Sequence, residues 1–341
     1  MKYLYIIILI ISSFINIILS QDKNDNLFLI EKDGKYGFIN NFGDIVIKPE
    51  YDGARDFEND ATIVSIAGSL SVLLKNGLTF PIDSLYSSPN THGFSNGYCL
   101  IYDYNNACFY NTSGKRKKCY QEALDFWEGI AAVKIDDKWG YIDTTFHIII
   151  SPEYESASIF REDHAWVKKD GKCGILNRDG KLKIIEISNT NMLRTCFNIF
   201  SNGLAMISSD DKCGYINFNG DVIIQPKFET GSDFSEGLAA VQIENKYGFI
   251  DTLGNIIIDP QFDYVKDFSE GLAPVSINYE WGYINKEGEF VIDIQFSGAN
   301  CFSNGLAKVW YEDGIQDHYS FDIIRNFDYI DKSGKKIYSH K

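Results

Sequence analysis

Basic residues are the first thing this chain is short of. Its 341 residues carry 32 Lys and Arg against 47 Asp and Glu, a net charge of −15. Phosphate contacts supply most nucleic-acid affinity, so an acidic chain without a basic stripe is not a nucleic-acid binder. The single cationic run, Lys115, Arg116, Lys117 and Lys118, follows a turn glycine and reads as a solvated hairpin strand. Histidine is scarce as well. The five residues (92, 147, 164, 318 and 340) show no H-x-x-x-H or paired Cys/His spacing, which leaves no recognisable zinc site. The seven cysteines (99, 108, 119, 173, 196, 213 and 301) contain no C-x-x-C, and in an oxidising compartment an odd count leaves at least one thiol unpaired within a monomer. Most read as small buried apolar residues, while Cys173 and Cys213 hold equivalent positions and are a candidate pair. With seven prolines and no long polar tract, nothing marks a linker between domains.

Long apolar runs are absent after the first 20 residues. Before that, Lys2 precedes an apolar stretch from Tyr3 to Leu19, then Ser20 and the charged Asp22. This is the layout of a secretory signal peptide over 1–20, the alternative being an uncleaved membrane anchor. Residues 21–26 form a short linker, and 27–341 form one soluble domain. A composition 45% hydrophobic and 15% aromatic is apolar enough to build a core.

That domain repeats itself. Tyr36-Gly37-Phe38-Ile39 recurs as Trp139-Gly140-Tyr141-Ile142, Tyr247-Gly248-Phe249-Ile250 and Trp281-Gly282-Tyr283-Ile284, with softened copies at Cys173-Gly174 and Cys213-Gly214. Gly214, Gly248 and Gly282 lie 34 residues apart, as do Gly140 and Gly174. Degraded copies surround Ser71 and Cys108. A second marker keeps step: Phe57, Phe94, Phe126, Phe160, Phe200, Phe234, Phe268 and Phe302 head a segment that reads Phe-Ser-Glu-Gly-Leu-Ala at its clearest. Two markers with one period define about eight repeats, and Tyr329 to Gly334 begins a partial ninth.

Each repeat predicts three strands. In the unit from Lys246 to Ile277, Tyr247 to Asp251 alternates as a first strand, and Asp251 opens a tight turn closed by Gly254. Ile256-Ile257-Ile258 is a second strand, expected to be buried on both faces and ended by Pro260. After an aromatic connector, Leu272 to Ile277 is a third strand that runs into the next unit. One such unit cannot cover its own apolar faces, so stacking provides the core. The fold class is therefore all-β, built of three-stranded repeats in an open or superhelical array. A closed propeller-like ring is the alternative, because the chain opens on a third-strand segment and ends on a hairpin that lacks one.

Lys138-Trp139-Gly140-Tyr141-Ile142-Asp143 and Glu280-Trp281-Gly282-Tyr283-Ile284-Asn285, with the turn glycine, proline and Phe-Ser-x-Gly-Leu-Ala that follow, resemble the WG-repeat (KWG-repeat) family. The resemblance covers about 27–341. It implies a β-rich repeat domain, common in exported or envelope-associated bacterial proteins, with no shared catalytic chemistry. Its motif residues here are Tyr36, Gly37, Trp139, Gly140, Gly174, Gly214, Tyr247, Gly248, Trp281 and Gly282.

The remaining motifs are weaker. Gly93-Phe94-Ser95-Asn96-Gly97 matches a nucleophile elbow, but it is also the repeat's own Phe-Ser-Asn-Gly turn and has no visible His–acid pair. The Asp/Asn series Asn40, Asp143, Asn177, Asn217, Asp251, Asn285 and Asp331 is explained residue by residue by the turn each one opens. The acidic loop Glu312 to His318 lacks the calcium-loop pattern. Asn111-Thr112-Ser113 is a glycosylation acceptor only in a source that glycosylates exported proteins. The expectation is an exported, non-enzymatic binding or scaffold module, needing no cofactor or metal, for a protein or a cell-surface polymer. Its variable positions are the 181–198 insertion and the 311–326 loop. A glycan binder or cell-wall hydrolase using Trp127, Trp166 and Trp310 is the alternative.

Overall fold

A computed structural model describes residues 26–82, 93–103, 106–185, 199–311 and 327–340. The 1–20 segment, most of the 181–198 insertion, nearly all of the 311–326 loop, His92, His318 and Cys196 lie outside them. Among the described residues all regular structure is β-strand. Nine small antiparallel meanders follow one another, each with three or four strands. Sheets of this kind in series define the β-propeller class, the second of the two arrangements the repeat allowed.

The chain divides into two compact units, Met1–Cys99 with Tyr110–Arg116, and Leu100–Phe109 with Lys117–Lys341. The first unit holds sheet one (Phe28–Lys32, Lys35–Ile39, Ile45–Tyr51) and sheet two (Gly53–Ala54, Ala61–Ile66, Ser69–Leu74, Thr79–Pro81). Sheet three comprises Tyr98–Asp103, Asn106–Asn111 and Arg116–Tyr120. Sheets four to nine make up the second unit. The terminal strands do not complete one another, since Phe28–Lys32 belongs to sheet one and Lys336–Ser339 to sheet nine.

Sheet seven shows how the residues dictate the pattern. Leu238–Ile243 pairs with Lys246–Asp251, which pairs with Ile256–Phe262. The Leu-Ala strand thus joins the sheet of the following glycine strand, as its sequence run predicted. Asp251 opens the second turn. Its Oδ1 accepts from Leu253 N and Asn255 N at 2.9 Å each, and Gly254 supplies φ 82°. Asn40, Asp143, Asn177, Asn217, Asn285 and Asp331 serve their own turns in the same way.

The motif glycine answers a specific demand of the outer strand. Tyr247 pairs with Phe262 and Phe249 with Ile258, so the Asp259-Pro260-Gln261 segment bulges across Gly248. A Cβ on Gly248 would lie 2.4 Å from Ile258 O and 2.7 Å from Pro260 N. Gly37, Gly140, Gly214 and Gly282 face the same backbone arch. The residue after the glycine turns inward. Tyr141, Tyr215, Phe249 and Tyr283 are fully buried, each against the Phe that heads the next connector at 4.8–4.9 Å between ring centroids. Three of the four pairs are edge-to-face and Tyr283–Phe302 is tilted; aromatic pairs of this kind add about 0.5–1.5 kcal/mol beyond area burial. The hydroxyls of Tyr141, Tyr215 and Tyr283 donate to Ser158 O, Ser232 O and Asn300 O, which ties each sheet to the connector leading onward.

Two expectations need correction. The second strand is not buried on both faces: Ile258 is 3% exposed, but Ile256 and Ile257 are 48% and 46% exposed, because this strand is the outer edge of its sheet. Nor do most cysteines act as plain apolar residues. Cys108 and Cys119 form a disulfide, and Cys173 is disulfide-bonded, though not to Cys213. Equivalent positions on stacked sheets sit about 10 Å apart, beyond disulfide reach. Cys99 and Cys213 are buried outside any disulfide, and Cys301 is partly exposed.

Candidate functional site

The Phe-x-x-Gly segments build one face of the second unit. Each is a two-residue turn with positive φ at both central positions: 50° and 81° at Glu128-Gly129, 52° and 90° at Glu236-Gly237, 55° and 87° at Glu270-Gly271. Ser235 and Leu238 exchange backbone hydrogen bonds across the turn at 2.8 and 3.0 Å. The first central residue then reaches to the next repeat. Glu128 accepts from the amides of Glu162 and Asp163, Glu162 from Asn202 and Gly203, Asn202 Oδ1 from Gly237, Glu236 from Gly271, and Glu270 from Gly305. A parallel series runs beside it, with Ser235 Oγ donating to Phe268 O and Ser269 Oγ to Phe302 O. Burial alone would raise the Glu236 pKa. The Lys286 ammonium and the Gly271 amide outweigh it and hold the carboxyl below the usual range.

A cavity of about 400 Å³ opens among these turns, lined by Arg161, Ser201, Asn202, Asp233, Ser235 and Asp267 with their neighbours. Asp233 precedes Phe234 as Asp267 precedes Phe268, so the period itself sets two carboxylates in register. Burial first, and then the charge of Asp267, raise the Asp233 pKa; Arg161 works in the opposite direction. Arg161 occupies the position that is serine in later turns, and its guanidinium lies 4.2 Å from the Trp127 ring centroid. Its Nε is sealed from solvent with no acceptor among the described residues.

The opposite kind of surface lies along the outer strands. Ile148 and Ile149, Val222 and Ile223, Ile256 and Ile257, and Phe290 and Val291 form exposed pairs, 38–51% accessible, at the start of the outer strands of sheets four, six, seven and eight. Pro152, Pro226 and Pro260 sit farther along three of these strands, where a missing donor blunts the open edge.

The predicted motif residues fall in the sheets rather than at the cavity. Gly37, Gly140, Gly174, Gly214, Gly248 and Gly282 are buried under outer strands, while Tyr36, Tyr247 and Trp281 are half-buried and Trp139 is buried. Ser95 sits in a two-residue hairpin with Tyr98, not at a strand-to-helix elbow. Trp166 is fully buried, Trp310 half-buried and Trp127 40% exposed beneath Arg161, so the three tryptophans line no common groove. Arg116, Lys117 and Lys118 are exposed on a hairpin strand, as read from the sequence. Among the described residues no three His, Cys, Asp or Glu side chains converge as metal ligands. The inter-repeat reach of Glu128, Glu162, Glu236 and Glu270 and the Arg161 cavity were missed. Their one signal is an acid before glycine at Glu128, Glu236 and Glu270, which Glu162, followed by Asp163, does not share.

Fold and surfaces together define a repeat protein of the β-propeller class, an architecture consistent with a binding or scaffold module. The model of the WG containing repeat matches six times, over residues 36–68, 120–139, 139–173, 214–247, 247–281 and 281–309, more than half of the chain. The chain belongs to the WG containing repeat family. Among curated proteins no relative matches. The crystal structure of a eukaryotic initiation factor is similar in fold alone, at 11% identity and a TM-score of 0.60, covering 92% of this chain and 96% of the other. BamB from Moraxella catarrhalis aligns at 10% identity and a TM-score of 0.40, covering 78% and 95%. Apo AztD from Citrobacter koseri aligns at 12% and 0.41, covering 77% and 92%.

Proposed function

We propose that this chain is an exported, non-enzymatic scaffold that holds a protein partner of the cell envelope against the outer strands of its sheets. The observation behind this reading is the recurrence of exposed apolar pairs. Scattered surface apolar residues need no explanation, but pairs at equivalent positions of three successive sheets, six to eight, are the sign of an interaction surface. The Cys108–Cys119 disulfide supports export, since such bonds persist in oxidising compartments. The secretory layout of residues 1–20 supports it from the sequence side.

The test is cross-linking of the intact protein in its own cells, wild type beside an Ile223→Lys, Ile257→Lys double variant. A defined cross-linked protein that disappears in the variant, with far-UV circular dichroism unchanged, is the expected result. An unchanged cross-linking pattern would overturn the reading. Fractionation with N-terminal sequencing of the product tests export separately.

A further inference from the structure

The hairpin leading into the motif strand departs from the repeat in sheet eight. Its two central residues have positive φ wherever it is described, and the second is elsewhere Gly34, Gly68, Asp137, Gly171, Asp211 or Asn245, all residue types that tolerate the left-handed region. In sheet eight that place belongs to Tyr279, at φ 67°. A bulky side chain is strained there, and Tyr279 recovers little by burial, since it is 75% exposed. A second departure lies beside it. The short edge strands of other sheets open on Gly53, Glu122, Ser156 and Gly298, but that of sheet eight opens on Tyr264, which is 48% exposed. The two tyrosine rings meet, with centroids 6.2 Å apart.

The surroundings of the pair select its ligand. The ring planes are inclined at 42°, which makes a shallow open angle rather than a closed stack. Asp263, Asn278 and Glu280 border it, and no other large apolar side chain is exposed from Tyr264 to Ile284. Two rings fall far short of a protein interface, which takes about 800 Å² from each partner around an apolar centre. Phe290 and Val291 cannot extend the patch, because they lie on the opposite edge strand of the sheet. A tyrosine offers an apolar ring face with a hydroxyl at its tip. A sugar ring is its complement, a C–H face bordered by hydroxyls. A charged glycan fits less well. Lys246 is paired with Asp263 and Lys266 donates to Asn300 Oδ1, so neither is left for a phosphate or a uronate, on a chain of net charge −15.

We propose that Tyr264 and Tyr279 form a binding platform for a neutral polysaccharide, whose sugar rings lie on the two aromatic faces. Binding is then the gain that offsets the strain at Tyr279. The platform is separate from the outer-strand surface that holds the protein partner.

Calorimetric titration of the intact protein with cellohexaose, mannohexaose and N-acetylchitohexaose, beside the anionic hexagalacturonate, tests the assignment. At least one neutral hexasaccharide is expected to bind at millimolar concentration or below, and hexagalacturonate is not. Tyr264→Ala and Tyr279→Gly should each weaken that binding at least tenfold. Glycine accepts the backbone angle, so Tyr279→Gly should also unfold at a higher temperature than the wild type, which separates loss of binding from loss of fold. Failure of every neutral probe, tighter binding of hexagalacturonate, or affinity indifferent to both substitutions would overturn the proposal. So would loss of the cross-linked protein partner in Tyr279→Gly, which would assign the tyrosines to the protein interface instead. The outer-strand double variant should bind the hexasaccharide normally, so this platform and the scaffold reading can fail independently.

Discussion

Sheet seven and sheet two are built from the same repeat, yet they treat its central position differently. In sheet seven the outer strand arches over Gly248. In sheet two Ser71 takes that position, and the outer strand, Thr79–Pro81, pairs residue by residue with Ser71, Val72 and Leu73. Sheet five keeps Gly174 but pairs it regularly with Ile184, and sheet nine places Asp328 there, paired with Ser339 and held by Lys336 at 2.6 Å. In all five sheets where the arch is seen among the described residues, three residues lie opposite one and that one is glycine. The family's signature glycine is therefore a clearance for a crossing backbone rather than a turn residue, and it can be lost wherever the arch is lost.

The sharpest way to break this comparison is to place an alanine at each site. Gly248→Ala should cost about 3 kcal/mol, because Ile258 O and Pro260 N are backbone atoms that cannot step aside. Ser71→Ala should change stability by less than about 0.5 kcal/mol. Urea unfolding of the two variants checks this, and equal losses would refute the clearance argument.

A second comparison sets two carboxylates on the turn face against one another. Glu236 is held below the usual range by Lys286 and Gly271, against the pull of burial. Its stabilisation is present above the unfolded pKa and is lost as pH falls through the folded one. Glu236→Gln should therefore cost about 1 kcal/mol at neutral pH, a cost that shrinks in acid. Asp233 is raised by burial and by Asp267, so its penalty appears as pH rises from the unfolded pKa. Asp233→Asn should stabilise the protein at neutral pH, with the gain fading below the carboxylate range. Unfolding midpoints across pH 3–7 read both, and parallel profiles would contradict the assignment.

The least effect is expected at Cys213, which holds the aromatic's place beside Gly214 in sheet six. Burial pushes its thiol up to about 11. Iodoacetamide at pH 7 should leave it unmodified in the folded protein and modify it in urea. Rapid labelling without denaturant would show that this sheet, with cysteine for an aromatic, is looser than sheet seven.

The sequence displayed the period, the turns and the inward aromatics plainly, because each rests on contacts within one repeat. Asp251 caps a turn four residues long, and Phe249 meets Phe268 at the offset that also joins Phe38 to Phe57, Tyr141 to Phe160, Tyr215 to Phe234 and Tyr283 to Phe302. The arch was not legible, since Pro260 reads equally well as the end of a strand and as the crest of a bulge. Three isoleucines in a row suggested two buried faces; only the strand's place at the sheet edge shows that Ile256 and Ile257 face outward. The Glu236 reach to Gly271 escaped for a different reason. Its partner is a backbone amide, which leaves no mark in composition.

Glu162 closes the turn at Asn202 and Gly203 just as Glu128 closes the turn at Glu162 and Asp163, although the first interval is 40 residues and the second 34. Each joint is finished by the repeat before it and is indifferent to how much chain intervenes. Such a molecule can gain or exchange intervening segments without renegotiating its joints, whereas deleting part of a joint would leave two neighbours incomplete. Its evolutionary currency is the whole unit plus free insertions, and engineering should follow the same rule.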